Sequence, residues 1–554
     1  MTAKDDFSEY YEEYLDGQYD CVDRIVLNGY FPMGQQGGGF RYWWRNLTGS
    51  DENLTQDNLV SMAGRFSRRV HAHAQKHHIP IIHCKPDVRK HELAERYLPA
   101  DRDFQGVFLI LVAKAPALVW VVTHGKNGVP HLERKTPWPY VNHYHFHIMD
   151  KEWGHLTIKM SGHPPFGVQI MLNGHEWVER RARKQTISSM MKEGNCFVGC
   201  SDFMTLDRIA DTLRDDHAIG RLADVCDRWV YSGCLCFALD TEEQKRSEFR
   251  YRYSCFQLEY SRNLVFTRGR VLDEVYQGLI DRVRRLLDVK TLRTIFGWKC
   301  RPYQRSRPGR STRRVERIVD ETTYDVTVFK VHFGRLTLKM YDKGDRVLRI
   351  EAIAHNVKDL RCGKVLEKLS VMLEKLQRMV TDFLNTVYVT HKSFIDCDAL
   401  DTLHQPTQRG ARRLAGVDMQ KSRTRAVGEA LLALAPNPEG FTCFELAEKV
   451  RALQGYSDSA SYTSRHALYD LSKFRGKHLV ERVEHKRRFR CSKLGVRLLA
   501  GFIILVGKVI KPVLAGVCKA RPEPKPRKIH PIDTLYENLQ GEMFALLDHF
   551  ALVA

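Results

Sequence analysis

The chain has 554 residues, 43% of them hydrophobic and 28% charged. That length exceeds what one core fills and predicts several domains of about 100 to 200 residues, while the apolar content excludes a mainly disordered chain. Lys and Arg number 87 against 66 Asp and Glu, a formal net charge of +21, which favours a polyanionic partner: DNA first, RNA second.

Residues 1–20 read as an acidic tail rich in Asp, Glu and Tyr, with neither the basic nor the apolar region of a secretory signal. The 14 cysteines are scattered, and the pairs Cys196/Cys200 and Cys234/Cys236 lack the repeated short spacing of a zinc site. Reduced thiols and a cytoplasmic location are therefore expected. Two apolar stretches, 107–122 and 498–517, are interrupted by Lys114 and Pro116 and by Gly501, Lys508, Lys511 and Pro512. A bilayer needs about 20 nearly unbroken apolar residues, so no membrane partner is expected, and 107–122 reads as two strands around an Ala-Lys-Ala-Pro turn.

In chain order the patterns predict an α+β multidomain protein: an N-terminal mixed α/β domain, a helical middle layer, a β-hairpin region and a C-terminal winged helix-turn-helix. The boundaries are a mixed α/β domain with a His-rich hairpin over 21–195, a mainly helical region over 196–298 and a basic linker over 299–317. A hairpin plus a long amphipathic helix then fills 318–395, a linker 396–424, the winged helix 425–517, and a basic linker with a terminal helix 518–554. Asn58 to Lys76 reads as helix, and no repeat of solenoid period stands out. In the linker, Arg301, Arg305, Arg307, Arg310, Arg313 and Arg314 lie among Pro, Ser and Gly, which form no core but suit phosphates.

In the histidine segment, His143, His145 and His147 fall at alternate positions and share one face of a strand. A turn over 150–154 brings His155 and Lys159 onto that face. Neutral imidazoles so arranged are ligands for a divalent cation, Mg or Mn, with polar packing or phosphate contact as the alternative.

Further along, Leu336, Leu338 and Met340 alternate with Thr337, Lys339 and Tyr341, and Leu348 and Ile350 alternate with Arg349 and Glu351. Pairing Met340 with Leu348 gathers the apolar side chains and leaves Lys339, Tyr341, Arg349 and Glu351 on one surface. A tyrosine hydroxyl beside a carboxylate and cations suits phosphodiester transfer. A solvated face with cross-strand ion pairs is the plainer reading.

Near the C-terminus, Thr442 followed by Glu445 forms a capping box before an apolar-periodic run. A second helix over 463–474 turns Arg465, His466, Tyr469 and Lys473 outward, and a strand, a charged turn with Lys486, Arg487 and Arg488, and a return strand follow. That order predicts a winged helix whose second helix enters the major groove and whose wing meets phosphates.

The sets Asp23-Arg24-Ile25-Val26, His143-Tyr144 with His147 and Gly154, Leu172-Asn173-Gly174-His175-Glu176-Trp177, Asn195-Cys196-Phe197, and Lys339-Met340-Tyr341-Asp342-Lys343 with Leu348-Arg349-Ile350-Glu351 resemble a bacterial family of unassigned activity. The hairpin Tyr341 to Glu351 is similar to segments of rolling-circle replication initiators, and His145-Phe146-His147 fits the His-hydrophobe-His pattern of relaxases and replication nucleases. Two expectations follow. One is a mobile-element or replication-type DNA endonuclease in which His143, His145, His147 and His155 hold the cation and Tyr341 attacks phosphate. The other is a non-catalytic DNA-binding regulator or an RNA-binding ribonucleoprotein component.

Overall fold

The computed structural model describes residues 5–276 apart from 87, 102, 125–128 and 186, the short strands 290–293, 298–299, 316–317 and 327–333, residues 336–391 apart from 344, residues 402–511 apart from 411, 438, 456–460 and 484–486, and residues 531–549. The arginines of the basic linker, Arg301 to Arg314, and Lys486 lie outside the described residues. The chain divides into two compact units, one of residues 11–272 and 292–380 and one of residues 5–10, 273–291 and 381–554.

The first unit is built on one large sheet. Its strands are β1 (Leu15–Tyr30), β2 (Ile81–His83), β3 (Gly106–Pro116), β4 (Tyr140–Asp150), β5 (Gly154–Ser161), β6 (Val168–Leu172), β7 (Arg252–Phe266), β8 (Lys290–Arg293), β9 (Thr327–Phe333), β10 (Leu336–Lys343) and β11 (Val347–Ala354), in the order β8-β9-β10-β11-β7-β1-β6-β5-β4-β3-β2. Pairings from β9 across to β3 are antiparallel, and β2 joins β3 in parallel. Directly opposed residues share a face. Along one line Phe146, Ile158, Ile170 and Leu27 are paired in turn, and along another Leu338, Ala352 and Tyr260. All are buried.

The opposite face is polar. It carries His147, Thr157 and Met171 on one side, and Asn263, Arg349 and Tyr341 on the other. Two antiparallel meanders, β4-β5-β6 and β9-β10-β11, therefore flank the central pair β1/β7 in mirror order. Their middle strands share a motif, Gly154-His155-Leu156-Thr157-Ile158-Lys159-Met160 and Gly334-Arg335-Leu336-Thr337-Leu338-Lys339-Met340.

Helices α1 (Gln56–Lys76), α2 (Lys90–Glu95), α3 (Gly174–Lys184), α4 (Phe203–Asp211), α5 (Asp216–Gly233) and α6 (Leu369–His391) accompany the sheet. Thr55 caps α1, whose buried Leu59, Met62, Phe66 and Val70 follow a helical period. Gln377 of α6 donates to Asp20 of β1 at 3.2 Å. Asp20 also takes Arg262 at 2.8 and 2.9 Å and the Tyr260 hydroxyl at 2.8 Å. Burial opposes its ionisation most, but Arg262 and the hydrogen bonds from Tyr260 and Gln377 together hold the carboxyl below its usual range.

Several sequence expectations change here. Of the acidic stretch 1–20, expected to be a tail, residues 5–20 hold a short helix, Asp6–Tyr10, and the start of β1. The region 196–298, expected to be mainly helical, contains the central strand β7. Its Ser261, Arg262 and Asn263 are buried because neighbouring strands supply polar partners, so apolar alternation is weak. The hairpin of 318–395 completes the sheet begun in 21–195 instead of standing apart. Met340 opposes Ile350, not Leu348, because an added Lys343↔Val347 pair seats the fully buried Val347. This two-residue offset preserves the faces. β3 runs through the expected Ala-Lys-Ala-Pro turn to Pro116.

In the second unit the order is α7 (Ser422–Leu434), an extended residue Phe441 bridged to Phe489, α8 (Cys443–Gln454), α9 (Ser464–Gly476), β12 (Val480–Arg482), β13 (Phe489–Cys491) and α10 (Lys493–Ile504). The Thr442 and Glu445 side chains cap α8 reciprocally, as do Thr463 and His466 for α9. Val427, Leu431, Leu446, Leu471, Phe474 and Leu479 are among the fully buried residues of its core. Among the described residues no helix is long and apolar enough to cross a membrane.

Candidate functional site

The polar face is not a solvated surface at its centre. Arg349 is fully buried, with Nη2 2.5 Å from Asp23 Oδ2 and Nη1 donating to Asn195 O at 2.8 Å and Asn263 Oδ1 at 3.0 Å. Asp23 sits at a bulge of β1 opposite β7, accepts from Ser261 Oγ at 2.9 Å and lies 3.3 Å from Nδ1 of the fully buried His175. Burial pushes the Asp23 carboxyl up to about 6, despite the opposing Arg349 guanidinium. Lys339 donates to Glu351 at 2.8 Å. Burial works against Glu351 ionising, but Lys339 and then Arg349 keep its carboxyl below the ordinary value.

Thus Lys339, Tyr341, Arg349 and Glu351 share one face, as the alternation predicts, with Tyr341 directly opposite Arg349 and Lys339 opposite Glu351. Burial raises the Tyr341 hydroxyl well above its ordinary pKa, which leaves it a protonated phenol at neutral pH.

A cleft of about 1410 Å³ opens on this face. Asp23, Asn195 and Glu259 line one part of it, Glu176, Glu179 and Lys192 another, and His145, His147 and His155 a third. His147 Nδ1 lies 3.1 Å from His155 Nε2 and 3.1 Å from Thr157 Oγ1, while His143 Nδ1 contacts Val141 O. Burial, followed by Lys159, pushes His143 down to about 4 and His145 down to about 3. Burial, followed by His155, takes His147 to about 3. These rings are neutral at pH 7.

Among the described residues no group of three or more His, Cys, Asp or Glu is arranged to hold a metal ion. The histidines and the tyrosine, expected in one centre, lie far apart in the sheet. β10 and β4 are six strand steps apart in the sheet order, and at about 4.8 Å per step Tyr341 is roughly 29 Å along the sheet from the histidines. The described cysteines are free thiols.

In the second unit α9 turns Arg465, Leu468 and Tyr469 to solvent, the last two 52% and 57% exposed. Lys473 sits 4.3 Å over the Tyr469 ring and 3.4 Å from Asp470. His466, expected on the outward face, is instead spent on the helix cap, its Nδ1 accepting from Thr463 N at 3.1 Å. Arg487 is exposed. Arg488, expected on the wing surface, is 6% exposed and donates to Glu439 O, Gly440 O and Glu445 at 2.8, 2.6 and 3.0 Å. It ties the start of α8 to the residue preceding β13.

Sequence reasoning missed Ser261 and Asn263, and placed Asp23, His175 and Asn195 only within the sets that carry the family resemblance, not as site residues. A signal for their neighbourhood existed in the repeated motif at 154–160 and 334–340, which marks two equivalent meanders and so a central pair between them. Comparison with family models, with curated proteins and with solved structures returned no match.

Proposed function

We propose that the protein binds duplex DNA through a winged helix formed by residues 422–504, with α9 as the recognition helix. The observation that carries this reading is the order α7, Phe441, α8, α9, β12, β13, α10, with Arg465, Leu468 and Tyr469 exposed on α9 and Arg487 exposed beside the hairpin. In such a module the second helix reads base edges and the hairpin meets phosphates. The net charge of +21 suits the same partner.

The test is anisotropy titration of a duplex library at several salt concentrations. Arg465→Ala with Tyr469→Ala should flatten sequence preference. Arg487→Ala should weaken all duplexes alike and lower the slope of log K against log salt by about 0.9. Wild-type behaviour in both variants would overturn the reading.

A second reading, DNA strand cleavage, draws on Asp23, a carboxyl titrating at about 6 on the cleft wall next to Arg349. Nicking of labelled DNA in the presence of Mn²⁺, abolished by Asp23→Asn with duplex binding intact, is the result it requires. Nicking that survives Asp23→Asn removes it.

A further inference from the structure

The two meanders are built alike, and comparing them exposes an uncompensated charge. In each, a threonine of the middle strand bonds to a histidine of the preceding strand: Thr337 to His332 at 2.9 Å, Thr157 to His147 at 3.1 Å. Two residues further on comes a lysine, Lys339 in one and Lys159 in the other. Across to the third strand Lys339 meets Glu351 and forms a 2.8 Å ion pair. Lys159 meets Gln169 instead, whose amide is engaged with Asn28 at 3.0 Å.

On its other side Lys159 lies directly opposite His145. It is half-buried, and among the described residues no carboxylate pairs with it. Burial first, and then Lys90 at the start of α2, lowers its pKa. Both lysines also depress His145, which is paired with Lys159 across the strands and shares the cleft lining with Lys90. His145 is 8% exposed and lines the cleft with Lys90, His147 and Thr157. Its neutral ring has no hydrogen-bond partner among the described residues, so either nitrogen is open to a ligand.

Burying an ammonium without a counter-ion is unfavourable, and the other meander has the remedy in Glu351. Its absence here is explained by a ligand that brings the negative charge. We propose that Lys159, Lys90 and His145 form an anion site at the wall of the cleft that takes a terminal phosphoryl group. Two ammonium groups match the near-dianion of a monoester at neutral pH, which a carboxylate or a phosphodiester does not, and the imidazole N–H adds a charge-assisted hydrogen bond. The site belongs to the sheet-bearing unit and stands independently of duplex binding by residues 422–504. Such a group reaches it either as free phosphate or as the 5′-phosphoryl end of a strand.

The full chain is titrated with a short single-stranded oligonucleotide bearing a 5′-phosphate, with the same strand ending in a 5′-hydroxyl, and with inorganic phosphate as competitor. A 5′-phosphate preference of about tenfold or more, erased by Lys159→Gln, is expected if the strand end is the ligand. Phosphate binding by wild type without an end preference, also erased by Lys159→Gln, identifies free phosphate. Gln169→Glu supplies in place the counter-charge that Lys339 has. It should abolish the same binding while the thermal midpoint stays at or above that of wild type, which separates loss of the site from unfolding. Phosphate or 5′-end binding that survives Gln169→Glu, or wild-type protein that binds neither probe, overturns the proposal.

Discussion

Replacing Arg349 with Met should destabilise the sheet-bearing unit by an amount that depends on pH. The guanidinium is fully buried and makes the 2.5 Å contact to Asp23 and two further hydrogen bonds, to Asn195 and Asn263. Removing one member of such a buried pair costs about 3 to 5 kcal/mol. In the variant Asp23 keeps Ser261 and His175 but loses its cation, so its pKa rises further above the value of about 6 that burial already imposes. A carboxyl whose folded-state pKa is raised contributes stability that is present below the unfolded value and lost as pH climbs through the folded one. In wild type that loss is complete just above pH 6. In the variant it continues upward at about 1.4 kcal/mol for each pH unit until the new pKa is passed. The variant should therefore trail wild type by only the lost hydrogen bonds, about 3 kcal/mol, at pH 5.5, and by clearly more at pH 8. Urea unfolding followed by tryptophan fluorescence measures this selectively, because all eight tryptophans lie between Trp43 and Trp298 and none lies in residues 381–554. The double variant Asp23→Asn, Arg349→Met should recover part of the pH 8 loss. Equal losses at both pH values, or a double variant no better than the single one, would refute the buried-pair argument.

Other perturbations discriminate structural from exposed groups. Arg488→Ala should lower the stability of the second unit by about 2 to 4 kcal/mol, because it leaves Glu445 and two carbonyls without their cation. Arg487→Ala should leave the melting curve unchanged; thermal unfolding of the two variants side by side checks both. Gly174→Ala should loosen α3 from β1, since a Cβ there would lie 2.1 Å from Val22 O; faster amide exchange along α3 is the readout, and wild-type exchange would contradict it. His143, His145 and His147 titrate at about 4, 3 and 3 when folded, below the ordinary 6.5. A depressed histidine gives stability that is full above 6.5 and lost as pH falls, so the urea midpoint should drop between pH 6.5 and 4, and drop less in His145→Gln with His147→Gln.

Helices that bury an apolar stripe were legible, as were caps. The span expected from Asn58 to Lys76 is the helix Gln56–Lys76, and the Thr442 and Thr463 boundaries fall at helix starts. The polar face of the hairpin was also legible, because a period of two survives any even offset in register. What periodicity hides is a strand whose inward residues are charged. β7 buries Arg262 and Asn263, and only the partners Asp20 and Arg349, brought from distant positions in the chain, make that burial tolerable. The same reason concealed Asp23. Its pattern reads as an ordinary polar position in a strand, and its role depends on Arg349, which lies more than three hundred residues away in sequence.

The repeated Gly-x-Leu-Thr-x-Lys-Met motif shows how one scaffold yields two different outcomes. Both copies set a lysine on the same face of a middle strand, with a threonine and histidine beside it. Backbone pairing fixes that placement in each, so the difference between them lies in the residues opposite the lysine: Lys330 and Glu351 in one copy, His145 and Gln169 in the other. With a carboxylate opposite, the charge is closed internally and the strand pair becomes part of the buried network around Arg349. With an amide opposite, the ammonium is left without a carboxylate, beside the His145 that lines the cleft with Lys90. Backbone register alone makes the copies equivalent, and side-chain charge alone makes them unequal; the open copy is therefore where a ligand, and not the fold, completes the electrostatics.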